Sequence, residues 1–116
     1  QTVAGSGQPG YSVDGTVATE AKLSRPIGVA VGSDDTLYFS DARNNRVRVV
    51  SRNGILNTVA GSDQAGDSPG PITATQGRLN EPHGLWLHEN QLLLICDHYN
   101  NRIKVTRLSA PASTST

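Results

Sequence analysis

Apolar positions along the chain fall in short runs separated by turn residues. Val29 to Val31 leads through Ser33-Asp34-Asp35 into Leu37 to Ser40, and the polar hexapeptide Asp41-Ala42-Arg43-Asn44-Asn45-Arg46 then opens an alternating run from Val47 to Ser51. Asn53-Gly54 follows, a dipeptide that favours a type I′ hairpin, and leads into Ile55 to Ala60. The pattern predicts four antiparallel strands in a meander. The same succession then returns as Leu85 to His88, a turn at Glu89-Asn90, Leu92 to Cys96, the hexapeptide Asp97-His98-Tyr99-Asn100-Asn101-Arg102, and Ile103 to Thr106. No fourth strand follows this second set.

A shift of 56 residues superposes the two sets without a gap. It aligns Thr2-Val3-Ala4-Gly5-Ser6 with Thr58-Val59-Ala60-Gly61-Ser62, Ala18-Thr19 with Ala74-Thr75, Leu23 with Leu79 and Pro26-x-Gly28 with Pro82-x-Gly84. From Thr2 to Val49, 19 of 48 positions are identical, which marks an internal duplication. The chain divides into a first repeat over 1–57, which carries a leading copy of the fourth strand, a second repeat over 58–108, and a Ser/Thr/Pro/Ala-rich tail over 109–116. An unpaired fourth strand thus stands at the front and an incomplete sheet at the back, the phase expected where a strand is lent to another sheet.

Leu92-Leu93-Leu94-Ile95 is apolar on both faces, whereas an antiparallel sheet with one face in water alternates. Sheets stacked face to face around an axis, as in a propeller, bury both sides. Two such sheets leave two apolar faces open. The sequence therefore predicts an all-β fold of four-stranded propeller blades, two in this chain. The second is completed by a strand from another copy or from sequence beyond it. Composition agrees with a core shared between layers: the apolar share is 35%, with one Phe and one Trp. The absence of Met reads as a processed chain or a piece of a longer one, and the lone Cys96 excludes an internal disulfide.

The segments Thr-Val-Ala-Gly-Ser, Ala-Thr-x-x-x-Leu, Pro-x-Gly-Val-Ala-Val, Leu-Tyr-Phe-Ser-Asp and Asn-Asn-Arg-Val-Arg-Val-Val resemble NHL repeats of the long type that opens with Thr-Val-Ala-Gly. The resemblance runs from Thr2 to about Leu108 and recurs twice in register. It implies one four-stranded blade per repeat in a propeller commonly of six blades, so three copies of this chain would supply a full ring. The second repeat departs from the pattern with His83 for Ile27, Leu85-Trp86-Leu87 for Val29-Ala30-Val31 and Asn90-Gln91 for Asp34-Asp35, changes that keep strand character.

Candidate chemistry is sparse. Asp41, Asn45, Arg46, Asp97, Asn101 and Arg102 recur in every repeat, and they read as structural connectors between strands rather than as a ligand site. Asp accepts backbone amides, Asn tolerates left-handed backbone and Arg reaches a neighbouring strand. Gly5-Ser6-Gly7-Gln8-Pro9-Gly10 lacks the Lys-Ser/Thr of a phosphate loop. His83, His88 and His98 do not show convergent metal spacing, and Cys96 has no base fixed beside it, so no catalytic residue, metal or cofactor is assigned. A pairing of Asp14 with Asp67 has no support in the pattern. Thr2, Val3, Ala4, Trp86 and His83 are the candidate interaction residues.

Lys and Arg balance Asp and Glu at ten each, which argues against nucleic acid despite the Arg43, Arg46, Arg48 and Arg52 cluster. No apolar run reaches the ~18 residues of a membrane span. The reading is a non-catalytic structural or protein-interaction module. It assembles with other copies or further blades by strand exchange, as a trimer closing a six-bladed ring or as a polymer, and its tail points to an extracellular or cell-surface setting. The alternatives are a fragment of a metal-dependent lyase or hydrolase of propeller type, and an RNA-binding NHL propeller.

Overall fold

The computed structural model describes residues 1–66 and 77–108. The Ala74-Thr75 match, Asp67 and the tail 109–116 lie outside them. Strands β1 (Pro26–Val31), β2 (Leu37–Asp41), β3 (Arg46–Val50) and β4 (Leu56–Gly61) form one sheet in that order, and β5 (Pro82–His88), β6 (Leu92–Asp97) and β7 (Arg102–Arg107) form a second. Every pairing is antiparallel. The fold is all-β, and the second sheet has three strands among the described residues. Gln1–Gly5 pairs with no strand among the described residues.

Turn chemistry departs from the sequence in one place. Asn53-Gly54 does not form a type I′ turn: Gly54 alone has positive φ (80°), Gly54 N–H donates to Ser51 O (2.8 Å) and Ser51 N–H donates to Ile55 O (3.2 Å). That is a three-residue loop closed by a glycine bulge. The extra residue comes from pairing Val50 with Leu56, which leaves five residues to turn the chain. The φ signs of a type I′ turn occur instead at Glu89 (52°) and Asn90 (58°), closed by Gln91 N–H to His88 O at 2.9 Å.

The core has two parts. Phe39, Val50 and Leu56 bury the outer side of the first sheet under Ala18 and Ala21 of the long loop that leads into it, residues 6–25, with Ala4, Leu23 and Leu37 at its margin. Val47, Ala60, Leu79, Leu93 and Ile95 fill the space between the sheets, with Tyr38, Leu85 and Leu87 packed against them. Because side chains alternate along a strand, the intervening positions of the second sheet face away from the first. Register places Trp86 opposite Leu94, Leu94 opposite Val105 and Cys96 opposite Ile103 on that far side. Trp86 is 68% exposed, Ile103 66% and Val105 61%, so the apolar run on β6 is buried on one face only. Val29 and Val31, on the outer side of the first sheet, are also open.

Gly28 sets how closely the sheets approach. A Cβ there would stand 2.1 Å from the His83 carbonyl oxygen, inside any permitted contact. At the equivalent Gly84 the nearest atom is Cys96 Sγ at 3.4 Å, an ordinary contact. Gly28→Ala should therefore cost about 2–3 kcal/mol by forcing β1 and β5 apart. In monomeric protein, Gly84→Ala should cost less than ~1 kcal/mol. Denaturant midpoints of the two variants compare them directly, and equal losses would contradict this account of the joint.

Candidate protein-interaction surface

Both hexapeptide connectors fold alike. A single 3-10 turn, Ala42–Asn44 or His98–Asn100, is ended by an asparagine in the left-handed region, Asn45 (φ 56°) or Asn101 (φ 55°). Asparagine tolerates that backbone better than most non-glycine residues. The aspartate ahead of each turn is fully buried. Asp41 Oδ1 accepts Ser24 N–H (2.7 Å), while its Oδ2 accepts Asn44 Nδ2 (2.9 Å) and Arg48 (3.3 Å). Asp97 does the same with Asn80 N–H (2.8 Å), Asn100 Nδ2 (2.7 Å) and Lys104 Nζ (2.9 Å). Asn44 also donates to Gly10 O and Asn100 to Gly66 O, so each connector holds the long loop that precedes its sheet.

The cation beside each buried carboxylate is Arg48 or Lys104, and the amide that reaches it belongs to Asn44 or Asn100. Sequence reasoning did not name these four residues among the connectors. The signal was present, since Asn recurs at 44 and 100 and a cation at 48 and 104. Arg46 sits on the Tyr11 ring at 4.3 Å and donates to Asn44 O, and Arg102 is exposed. Arg48 is buried, donates to Ser12 O, and meets the half-exposed Asp14 at 3.3 Å. The arginine cluster is thereby divided: Arg43 and Arg52 lie exposed beyond opposite ends of β3.

Among the described residues, three pairs of residues join the first sheet to the second by hydrogen bonds. Asn45 Oδ1 accepts Glu81 N–H (3.0 Å). Ser40 Oγ accepts Gly28 N–H (2.8 Å) and donates to His83 O (2.7 Å). At the opposite end of β1 and β5, Asn90 Oδ1 accepts Ser33 N–H (3.0 Å) and Asn90 Nδ2 donates to Ser33 Oγ (3.0 Å). On the far side of the second sheet, the repeat equivalents of Asn45 and Ser40 are Asn101 and Cys96, and both are exposed.

The histidines do not converge. His83 and His98 stack with ring centroids 4.0 Å apart and planes 12° apart, His98 lies 4.7 Å from Tyr99, and His88 faces Glu89. Lone pairs of parallel rings lie in separate planes, so the stack cannot point both at one ion at the ~2.0–2.1 Å of a zinc–nitrogen bond. Among the described residues no three His, Cys, Asp or Glu are arranged to hold a metal. The glycine-rich stretch is committed to structure as well: Gly5, Ser6 and Gly10 N–H groups donate to Ala18, Ala21 and Leu23 carbonyls.

Residues 6–78 match the family model described as the teneurin NHL domain. The chain belongs to the NHL repeat family. Teneurin-m of Drosophila melanogaster is 37% identical over 113 residues, covering 84% of this chain and 4% of that protein. NHL repeat-containing protein 2 of Bos taurus is 37% identical over 99 residues, covering 83% of this chain and 13% of its own length. Among solved structures, a putative phosphatase from Bacteroides thetaiotaomicron superposes with a TM-score of 0.73 at 25% identity, over 93% of this chain and 26% of that one. An auxiliary nutrient binding protein from the same bacterium gives 0.70 at 27% identity, over 89% and 27%. The chain thus spans a small part of the curated relatives and about a quarter of the solved ones, and its repeats have the propeller-like NHL fold. No helix among the described residues is long and apolar enough to cross a membrane.

Two outcomes test the connector and the stack. Asp41→Ala leaves the buried Arg48 with only the half-exposed Asp14 as a charged partner, and should cost ~3 kcal/mol in chemical denaturation. Asp14→Ala should cost under about 1 kcal/mol. Burial, aided by the neighbouring His98 charge, holds the His83 pKa below its ordinary 6.5. Unfolding therefore takes up a proton in acid, so this contribution is complete above pH 6.5 and declines as pH falls through 6.5 toward the lower folded value. His83→Gln should flatten that part of the stability profile, and an unchanged slope would assign the acid loss to other groups.

Proposed function

We propose that this chain is a non-catalytic protein-interaction module, a stretch of NHL propeller whose two open sheet faces take further blades. The observation that carries the reading is the far side of the second sheet. Trp86, Leu94, Ile103 and Val105 line it, and Asn101 and Cys96 stand where Asn45 and Ser40 join the first sheet to the second. Leaving such a face in water forgoes roughly 25 cal/mol for each Å² of apolar surface a neighbour would cover. Among the described residues the second sheet has three strands, and a neighbour can supply a fourth, for which Thr2–Gly5 repeats the sequence of Thr58–Gly61 in β4.

Other copies of the chain or further blades fill both needs, and three copies in a ring fit the six-blade arrangement that the family resemblance implies. Main-chain pairing gives the affinity of strand addition, and the apolar face gives its direction. The teneurin match and the Ser/Thr/Pro-rich tail support an extracellular setting. Thr2, Val3, Ala4, His83 and Trp86 belong to the interaction surface in this reading, and the hexapeptides hold the scaffold beneath it.

Sedimentation across a concentration series should give masses above the 12.2 kDa of one chain, rising with concentration. The emission of Trp86, the one tryptophan, should shift to the blue in step as the ring leaves water. A mass that stays at one chain up to about millimolar, with unshifted emission, overturns assembly with other copies.

A further inference from the structure

The turn between β3 and β4 carries chemistry that does not depend on what covers the sheets. Asn53, at its tip, is the one asparagine of the chain that is followed by a glycine. Ile55 N–H donates to Asn53 Oδ1 (3.3 Å), and the Ser51 hydroxyl donates to the same oxygen. The other acceptor near that hydroxyl, Ile55 O, lies at 3.4 Å. A backbone N–H can only donate, so it fixes this end of the amide as the oxygen. We infer that Asn53 is a self-modification site: the turn promotes attack of the Gly54 nitrogen on Asn53 Cγ, which deamidates the residue and yields isoaspartate.

In the first step the bond from Gly54 N to Cγ forms, and Oδ1 takes up negative charge in a tetrahedral intermediate. The bond from Cγ to Nδ2 then breaks, the Gly54 amide proton leaves with Nδ2 as ammonia, and a cyclic imide remains. Water opens the ring. Opening at the Asn53 main-chain carbonyl returns the chain through the side-chain carbonyl as isoaspartate, and opening at Cγ gives aspartate. The two donors on Oδ1 already stand where the charge develops, an arrangement that lowers such a barrier. Approach is unhindered, since a Cβ built on Gly54 would meet nothing within 4 Å. Asn53 is exposed, so water reaches the imide. The restraint is the hydrogen bond from Gly54 N–H to Ser51 O (2.8 Å), which must open before the nitrogen attacks.

The product acts on the long loop 6–25. Isoaspartate lengthens the main chain of the turn by a carbon atom and sets a carboxylate beside Arg52. Gly54 O accepts Ala18 N–H (2.8 Å), Leu56 N–H donates to Thr16 O (2.9 Å) and Leu56 O accepts Gly15 N–H (2.8 Å). These bonds tie the loop along the edge of β4, and Ala18 belongs to the core beneath it with Phe39, Val50 and Leu56. A displaced Gly54 loosens the Ala18 end of the tie. Only the first repeat carries the device, because the positions 56 residues further on are Ser109 and Ala110.

The test holds the full chain at neutral pH and physiological temperature, folded in buffer or unfolded in guanidinium chloride. Asn53 is followed by peptide mass and by isoaspartyl methyltransferase labelling. The folded chain should deamidate at Asn53 faster than the unfolded one. Ser51→Ala should slow the folded rate about tenfold, the loss of one hydrogen bond to a developing charge, and leave the unfolded rate unchanged. Ser51→Thr, which keeps the hydroxyl, should stay fast. In the purified isoaspartate product the Ala18 amide should lose protection from hydrogen exchange. A folded chain that deamidates more slowly than the unfolded one, or a folded rate that Ser51→Ala does not lower, would overturn the site. Unchanged protection at Ala18 would overturn its link to the long loop.

Discussion

Each sheet of this protein is apolar on both faces, and neither can be buried without a neighbour. Leu93 and Ile95 leave water only because Val47, Ala60 and Leu79 are there to meet them, and Phe39 and Val50 only because Ala18 and Ala21 fold over them. This constraint explains why the chain is built by repetition. A single NHL repeat would expose both sides of a thin sheet, and the 35% apolar content is too low to surround it with a separate core. Stacking solves the problem for inner faces and passes it on to the outer ones.

Stacking at this distance needs backbone as well as side chains. The β1 to β5 approach depends on Gly28, on the Ser40 hydroxyl that links Gly28 N–H with the His83 carbonyl, and on Asn45 holding the entrance to β5. Those groups work only if the connectors keep their shape, and that is the task of the buried aspartates. Asp41 and Asp97 each gather a backbone amide, an asparagine amide and a cation, so the charge is compensated where it is desolvated. The polar residues that first draw the eye in the sequence therefore act one step back from the surface, by fixing the backbone that presents it.

Much of this could be read from the chain. The duplication and the strand succession follow from local pattern, because periodicity and turn residues act over a few positions. The joint was harder. Asn45 and Asn101 could be named from the repeat, but the choice of Arg48 over Arg46 as partner of Asp41 depends on which side of β3 faces the long loop, and strand parity alone gives both arginines the same side. The Tyr11 ring, placed by a loop twenty residues long, lies against both guanidiniums, Arg46 at 4.3 Å and Arg48 at 5.1 Å, and Arg48 is the one that also reaches the carboxylate. The type I′ assignment at Asn53-Gly54 failed for a related reason: the dipeptide suits a two-residue loop, but the pairing of Val50 with Leu56 demanded a longer one.

The two repeats are not equivalent at the joint, and the difference has a direction. Inside the chain Ser40 uses its hydroxyl twice, accepting from Gly28 N–H and donating to the His83 carbonyl. A blade added to the far side of the second sheet would meet Cys96 instead, and a thiol is a weaker donor and acceptor than a hydroxyl. The outer joint therefore carries less polar fixation than the inner one and more apolar surface, since Trp86 takes the place of Ala30. Polar pairs fix register, whereas apolar surface adds affinity with less orientation. A joint weighted toward Trp86 therefore holds its orientation less tightly than the serine-bridged one, where two hydrogen bonds through one hydroxyl set the register of β1 against β5.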